Sequence, residues 1–365
     1  MNEQKRQNSN TETRREFLQQ CAALAGAGFG SIFSLQASLE AGEKDKASRP
    51  SHLVRFGKTN LYVSRLCQGT AFRKVTRDAN DPEAQRILHH AIEIGVNFFD
   101  SAEAYGWGGS ETALGKAIAG KRQKLVICTK AAATEFETKG QGKKIRFTKE
   151  MLFSKAEGSL RRLATDYLDL YLLHGPDEGT PMAEIADSMD ALVRSGKIRY
   201  WGISNHKSED VAKLVELGKR RGKSPIAGLE DYYNLVAADR RDFMDREMFP
   251  LIRKGKLGLM AFSPLGEGRL APGRDVEKGS PLESVVNALD RVAKDLGASR
   301  PQVCVAWVLT RPAVTSVLAG AEKPEHVEEN FKGSQLKLPA EAIKMLDAAS
   351  DAYTLRVREK KPASK

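Results

Sequence analysis

Asn97-Phe98-Phe99-Asp100-Ser101-Ala102-Glu103-Ala104-Tyr105-Gly106 is an apolar run that stops abruptly at a carboxylate. Val96, Phe98 and Phe99 make it mostly hydrophobic, as a buried strand would be, and Asp100 closes it. Tyr105 follows, then Gly- and Ser-rich sequence. The plain reading is a strand cap and a loop aromatic. The functional reading is an acid and a phenol presented at the C-terminal end of a buried strand.

The same alternation recurs on either side. Upstream, 53–63 reads as a short hairpin with Gly57 and Asn60 in its turn, and 66–70 as a first buried strand. Asp81-Pro82-Glu83 starts a helix, with Asp as cap and Pro in the first turn. Ile87, Leu88, Ala91, Ile92 and Ile94 keep helical spacing until Gly95. After 96–99, strands are predicted over 125–129, 168–173, 198–203, 226–229, 257–262 and 314–318. Helices are predicted from 110 and over 148–163, 182–194, 208–217, 240–253, 282–296, 301–310, 324–331 and 340–349. Eight strands with intervening helices predict a parallel sheet covered on its faces, closed into a (β/α)8 TIM barrel with a short N-terminal β-hairpin. A doubly wound open sheet is the alternative, but no Gly-x-Gly-x-x-Gly follows the first strand.

A barrel gathers the C-terminal ends of its strands into one ring. Asp100, Lys130, His174, Ser204, Asn205, Glu230 and Phe262 all fall at or just after predicted strand ends. A phenol has an ordinary pKa of about 10, too high for easy proton exchange at neutral pH. A neighbouring ammonium is expected to lower it, a carboxylate to hold that ammonium, and an imidazole to orient a carbonyl. Tyr105, Lys130, Asp100 and His174 supply those parts. The reaction they suit is carbonyl reduction, with hydride from a cofactor.

The chain has 365 residues, 41% hydrophobic and 29% charged, with a formal charge of +11. That is enough for a large core. The positive surplus is dispersed, apart from the tail residues Arg356, Arg358, Lys360, Lys361 and Lys365, and a solvated tail is expected there rather than a nucleic-acid site. Cys21, Cys67, Cys128 and Cys304 form no CxxC or His/Cys cluster, so neither a disulfide framework nor a metal site is indicated. The first residues read differently. Thr13-Arg14-Arg15-Glu16-Phe17-Leu18 precedes a weakly apolar, Gly/Ala-rich segment at 21–35 that is too short for a membrane span. It resembles a twin-arginine export signal, which implies a bacterial exported or periplasmic protein, the export machinery as a partner, and no stable membrane anchor after cleavage. The expected division is signal and linker over 1–52, barrel over 53–351 and basic tail over 352–365.

Over about 53–350 the chain resembles the aldo-keto reductase superfamily. The resemblance rests on Phe99-Asp100-Ser101-Ala102-Glu103-Ala104-Tyr105-Gly106 with Ser110-Glu111 and Leu114-Gly115, on Thr129-Lys130, and on Asp166 through His174. It continues through Gly196-Lys197-Ile198-Arg199, Gly202-Ile203-Ser204-Asn205, Tyr233-Asn234-Leu235, Ser263-Pro264-Leu265-Gly266 and Glu328-Glu329-Asn330. It implies an NADP(H)-dependent barrel, NAD(H) being the alternative cofactor, acting on a small carbonyl or sugar-like substrate. Asp100, Tyr105, Lys130 and His174 match its catalytic four. Ser204 and Asn205 match its contacts to the nicotinamide amide, and Glu329 and Asn330 its contacts to adenine. Ser263, Leu265 and Gly266 lie in its phosphate loop, and Lys323 is a possible 2′-phosphate partner.

The departures shape the expectation. Glu230 stands where the family has Gln; an ionised carboxylate only accepts hydrogen bonds, so altered redox poise or a protonated Glu230 is expected. Phe262 replaces the family's stacking Tyr, Glu267 lies beside the phosphates, and His326 replaces a frequent Arg. Three functions remain open on the sequence. They are a carbonyl reductase or alcohol dehydrogenase, a cofactor-binding sensor or accessory subunit with little turnover, and an exported enzyme recycling a tightly held cofactor. The loop at 131–147, with Lys139, Lys143, Lys144 and Arg146, is expected to border the pocket.

Overall fold

The structure, a computed structural model, describes residues 52–360 apart from 77–78, 136–142, 178 and 221–225. The arginine pair at 14–15, the linker and the expected signal lie outside the described residues, as do the centre of the 131–147 loop and the last five residues.

An antiparallel hairpin, β1 (Leu53–Arg55) and β2 (Tyr62–Ser64), precedes the barrel. The eight barrel strands are β3 (Leu66–Gly69), β4 (Phe98–Asp100), β5 (Val126–Ala131), β8 (Leu168–Leu173), β9 (Ile198–Ser204), β10 (Gly228–Tyr232), β11 (Gly258–Phe262) and β12 (Ser316–Ala319). They are parallel, and β12 pairs with β3 to close the ring. Two short strands, β6 (Thr134–Glu135) and β7 (Lys143–Lys144), pair within the loop after β5. The closed barrel predicted from the strand count is the fold observed, and the open sheet is excluded.

Helices α1 (Pro82–Glu93), α2 (Gly109–Ile118), α3 (Lys149–Leu163), α4 (Met182–Arg194) and α5 (Ser208–Arg220) connect the first strands. Asp81 caps α1 by accepting from the Glu83 N–H, as its sequence predicts. The helix expected over 240–253 is divided. Between α6 (Asp239–Phe243) and α7 (Phe249–Gly255) it widens into a π turn at Met244–Met248. Pro250 has no N–H to give to the turn before it, and the wider turn accommodates that missing bond. Helices α8 (Pro281–Leu296) and α9 (Arg300–Leu309) precede β12, and α10 (Pro324–Gln335) and α11 (Ala340–Lys360) follow it.

α11 runs beyond the expected 349, to Lys360. Its distal turns are helical and partly tethered: Tyr353 is buried, and the exposed Arg358 pairs with Asp239 at 2.7 Å and with Asp242 at 2.6 Å. Among the described residues no helix is long and apolar enough to cross a membrane.

The strand pleat divides the core in two. Leu66, Phe99, Ile127, Tyr171, Ile203, Leu229, Leu259 and Val317 face the helices. Cys67, Phe98, Val126, Cys128, Leu170, Leu172, Met260 and Leu318 fill the barrel interior. The hairpin closes one end by inserting Phe56, fully buried, under the strands. A Cβ on Gly228 or Gly258 would lie 2.5 Å from its ring, so both strand starts need glycine there. The opposite end, where the strands finish, is polar.

Candidate active site

The same two-residue period that builds the inner core builds the site. Asp100 is two residues beyond Phe98, Lys130 beyond Cys128, His174 beyond Leu172, Ser204 beyond Gly202, Glu230 beyond Gly228 and Phe262 beyond Met260. Each therefore continues the inward face: Asp100, Ser204 and Phe262 end their strands, Lys130 is one residue short of the end, His174 is just past it, and Glu230 is the central residue of β10, which runs on to Tyr232 rather than stopping near 229 as expected. Tyr105 arrives differently, on a tight turn after β4. Gly106, Trp107 and Gly108 take φ of 57°, 52° and 91°. A Cβ on Gly106 would meet the Val75 carbonyl oxygen at 2.5 Å, so the turn that aims Tyr105 requires glycine.

Lys130 is the hub. Its side chain is fully buried, and its Nζ donates to Asp100 Oδ2 at 2.5 Å, to the Ser101 carbonyl at 3.0 Å and to the Tyr105 hydroxyl at 3.4 Å. An ammonium has three N–H bonds, and these partners use them. Glu230 Oε2 lies only 3.2 Å from Nζ, yet it is only weakly bonded to it. Asp100 Oδ1 is buried without a hydrogen-bond partner. The Tyr105 and His174 rings meet edge to face, with centroids 5.6 Å apart, and both residues are half-buried at the mouth.

These positions set the charges. Burial works against the Lys130 ammonium, but Asp100 and Glu230 together hold its pKa well above the ordinary lysine value. Burial, and then the Asp100 charge, push the Glu230 carboxyl up to about 8. Burial and the Lys130 charge push His174 down to about 3, so its imidazole is neutral at neutral pH. Tyr105 departs from expectation. Lys130 does pull the phenol down, but burial outweighs it and Asp100 and Glu230 oppose it, so the pKa lies above the ordinary value. In the free protein Tyr105 is a protonated acid.

The remaining predicted positions ring this centre. Ser204 is buried, and its hydroxyl accepts from Asn205 Nδ2 at 2.9 Å; Asn205 is exposed, left-handed at φ 59°, and also donates to the His174 carbonyl at 3.1 Å. Phe262 is half-buried, its ring 5.4 Å from that of Tyr232. Ser263 and Gly266 have φ of 58° and 57°, and Leu265 between them is half-buried. A Cβ on Gly266 would fall 2.6 Å from Val236. Lys323 is exposed at the start of α10, Glu329 is half-buried, and buried Asn330 donates to the Gly320 carbonyl at 3.3 Å.

A dinucleotide fits these residues. The first turn of α10 has no side-chain cap, and Lys323 stands exposed at its start. At the mouth, buried Asp100 Oδ1 and Glu230 Oε2 have unused hydrogen-bonding capacity. Ser204, Asn205, Glu230 and Phe262 can hold a nicotinamide end, and Lys323 with the α10 N-terminus a phosphate end.

Residues 65–351 match the family model described as the Aldo/keto reductase family. The chain belongs to the aldo/keto reductase family. It is 31% identical over 310 residues to YrpG, an uncharacterized oxidoreductase of Bacillus subtilis, covering 80% of this chain and 93% of that one. It is 27% identical over 333 residues to a putative voltage-gated potassium channel subunit beta of Schizosaccharomyces pombe, covering 83% and 94%. Among solved structures it resembles the holo form of an aldo-keto reductase from Bacillus halodurans, with a TM-score of 0.69 and 26% identity over 82% of this chain and 96% of that one. As an aldo/keto reductase, the protein is an NAD(P)-dependent oxidoreductase.

Some contributors to this reductase's site were not legible beforehand. The Ser101 carbonyl binds Lys130, and the Thr70 hydroxyl donates to the Ser101 hydroxyl at 2.9 Å, fixing the residue after Asp100. Arg269 ties the loop after β11 to the Tyr232 and Tyr353 hydroxyls at 3.1 and 3.0 Å. Backbone carbonyls and cross-chain tyrosines leave no spacing signal. Cys67, Cys128 and Cys304 are free, buried thiols.

Proposed function

We propose that the protein reduces the carbonyl of a small aldehyde or ketone, with Tyr105 as the proton donor and NADPH preferred to NADH. The observation that carries this reading is the Tyr105 hydroxyl, 3.4 Å from a buried ammonium and on a residue still open to the mouth. A bound reduced nicotinamide supplies hydride to the carbonyl carbon. Tyr105 gives its proton to the carbonyl oxygen. Lys130 faces the phenolate that results, and stabilises charge that exists only after that transfer. Neutral His174 has a ring N–H to orient the carbonyl oxygen. Burial keeps the phenol protonated, so it has a proton to give in reduction. Lys323 beside the uncapped α10 N-terminus supports the additional phosphate of NADPH.

Tyr105→Phe is expected to lower kcat by roughly 10²- to 10⁴-fold, the range lost with a direct acid, while NADPH binding measured by fluorescence titration is retained. Unchanged turnover would sink the assignment. Export by the twin-arginine route belongs to the same proposal and rests on the arginine pair and the apolar segment after it. A protein exported folded carries its cofactor with it. Native mass spectrometry of the exported fraction should find bound dinucleotide, and its consistent absence there would remove that part.

A further inference from the structure

Two carboxyls and one ammonium share the buried floor of the mouth. Asp100 comes from β4, Lys130 from β5 and Glu230 from β10, on the far side of β8 and β9. One oxygen each of Asp100 and Glu230 and the Cys128 sulfur lie within 4.8 Å of one another. The three N–H bonds of Lys130 go to Asp100, Ser101 and Tyr105, so Glu230 Oε2 at 3.2 Å is close in charge but only weakly bonded to Nζ, and its carboxyl also lies within hydrogen-bonding reach of Asp100. Glu230 is nearly inaccessible to water, and its strand neighbours Ser204 on β9 and Met260 on β11 bring no compensating charge. The nearby Cys67 and Cys128 thiols are pushed up by burial and stay neutral. With both carboxyls ionised, this dry site would hold an uncompensated negative charge. In the resting site one of the two keeps a proton, and Asp100 already takes the shortest bond to the ammonium.

We propose that Glu230 stores a proton in a relay, Glu230 to Lys130 to Tyr105, that restores the phenol after it has protonated the carbonyl. The inference rests on Tyr105 being the acid. In the reaction the carbonyl carbon gains hydride and its oxygen gains the Tyr105 proton. The phenolate takes a proton along the existing Lys130 N–H bond to its oxygen, which leaves a neutral amine. Rotation about the Lys130 terminal C–N bond turns the new lone pair toward Glu230, which releases its O–H proton to it. The ammonium and phenol are restored, Glu230 is left as a carboxylate, and one proton taken up from solvent resets the site between turnovers. Glu230 is thus a positioning and proton-holding residue, acting on the substrate through Lys130 and Tyr105.

The relay is tested on the full chain in two ways. Infrared spectroscopy of the wild type should show the carbonyl stretch of a protonated, buried carboxyl at neutral pH. That band should fade as pH rises through about 8 and be missing from Glu230→Gln. The wild-type titration needs no variant to fold. Reduction of 4-nitrobenzaldehyde by NADPH should slow in the wild type over the same alkaline range. Glu230→Gln keeps the side chain's shape but has no proton to release. It should lose that alkaline fall, and its kcat should drop by less than the roughly 100-fold that loss of a direct acid costs. A wild-type spectrum without the band, a band that survives in Glu230→Gln, or an unchanged alkaline limb in that variant would each overturn the relay. Full turnover by Tyr105→Phe would instead overturn the underlying assignment, leaving the infrared result to stand for Glu230 alone.

Discussion

Asp169 and Glu230 are both carboxylates on barrel strands, both nearly inaccessible to water, and the balance of charge around them is opposite. Asp169 lies on β8 on the same side as Tyr171 and Leu173, facing the helices. Arg122 binds it at 2.8 Å, Arg199 at 2.9 Å, and the Ile127 N–H donates to it at 3.0 Å. Both guanidiniums also stack on the Tyr167 ring, at 4.0 and 4.1 Å. One acid is shared by two cations. Inside the barrel the ratio is reversed, with Asp100 and Glu230 sharing Lys130. The outer acid has its charge and hydrogen bonds satisfied and serves the fold. The inner pair is left short of one cation and of hydrogen bonds, which is the condition for holding a mobile proton. A step of one residue along a strand separates these outcomes, because it decides which layer a side chain enters.

Removing the satisfied acid gives the largest effect on stability. Asp169→Ala leaves the buried Ile127 N–H without its acceptor and two arginines facing each other. Leaving a buried donor without its acceptor costs about 1–3 kcal/mol, and chemical denaturation should show a loss of that order. The kcat of the molecules that remain folded should be unchanged, because Asp169 touches nothing in the mouth. A large change in kcat with stability intact would break the comparison, by making the outer acid part of the chemistry.

The strand ends could be read from sequence because each is marked by an apolar run that stops at a polar residue, and the barrel turns that linear mark into a ring. Asp100, Lys130, His174 and Glu230 were legible for that reason. What joins them was not. The approach of Glu230 to Lys130 depends on barrel closure bringing β10 opposite β5, and no spacing along the chain encodes a 3.2 Å contact. The direction of the Tyr105 shift was misjudged for a related reason. A nearby lysine was expected to lower it, but burial and two carboxylates, rather than one, surround that lysine. The C-terminal helix was underestimated because its last turns are polar. They are held by Asp239 and Asp242, more than a hundred residues earlier.

The inner acid should respond to pH in a way the outer one does not. Burial raises the folded-state pKa of Glu230 from the ordinary 4.5 to about 8. Between those values the folded protein holds a proton that the unfolded chain has released. Stability contributed by this group therefore falls as pH rises through that window, is fully present below about 4.5 and is fully lost above about 8. Glu230→Gln has no such titration. The melting temperature of the variant minus that of the wild type should increase steadily from pH 5 to pH 9 and then level off. The effect is smaller than that of Asp169→Ala, because glutamine of nearly the same shape replaces a group that is only weakly bonded to Lys130. A difference that stays flat across the range would mean that Glu230 is ionised throughout, and that the inner site tolerates its surplus charge as readily as the outer site satisfies its own.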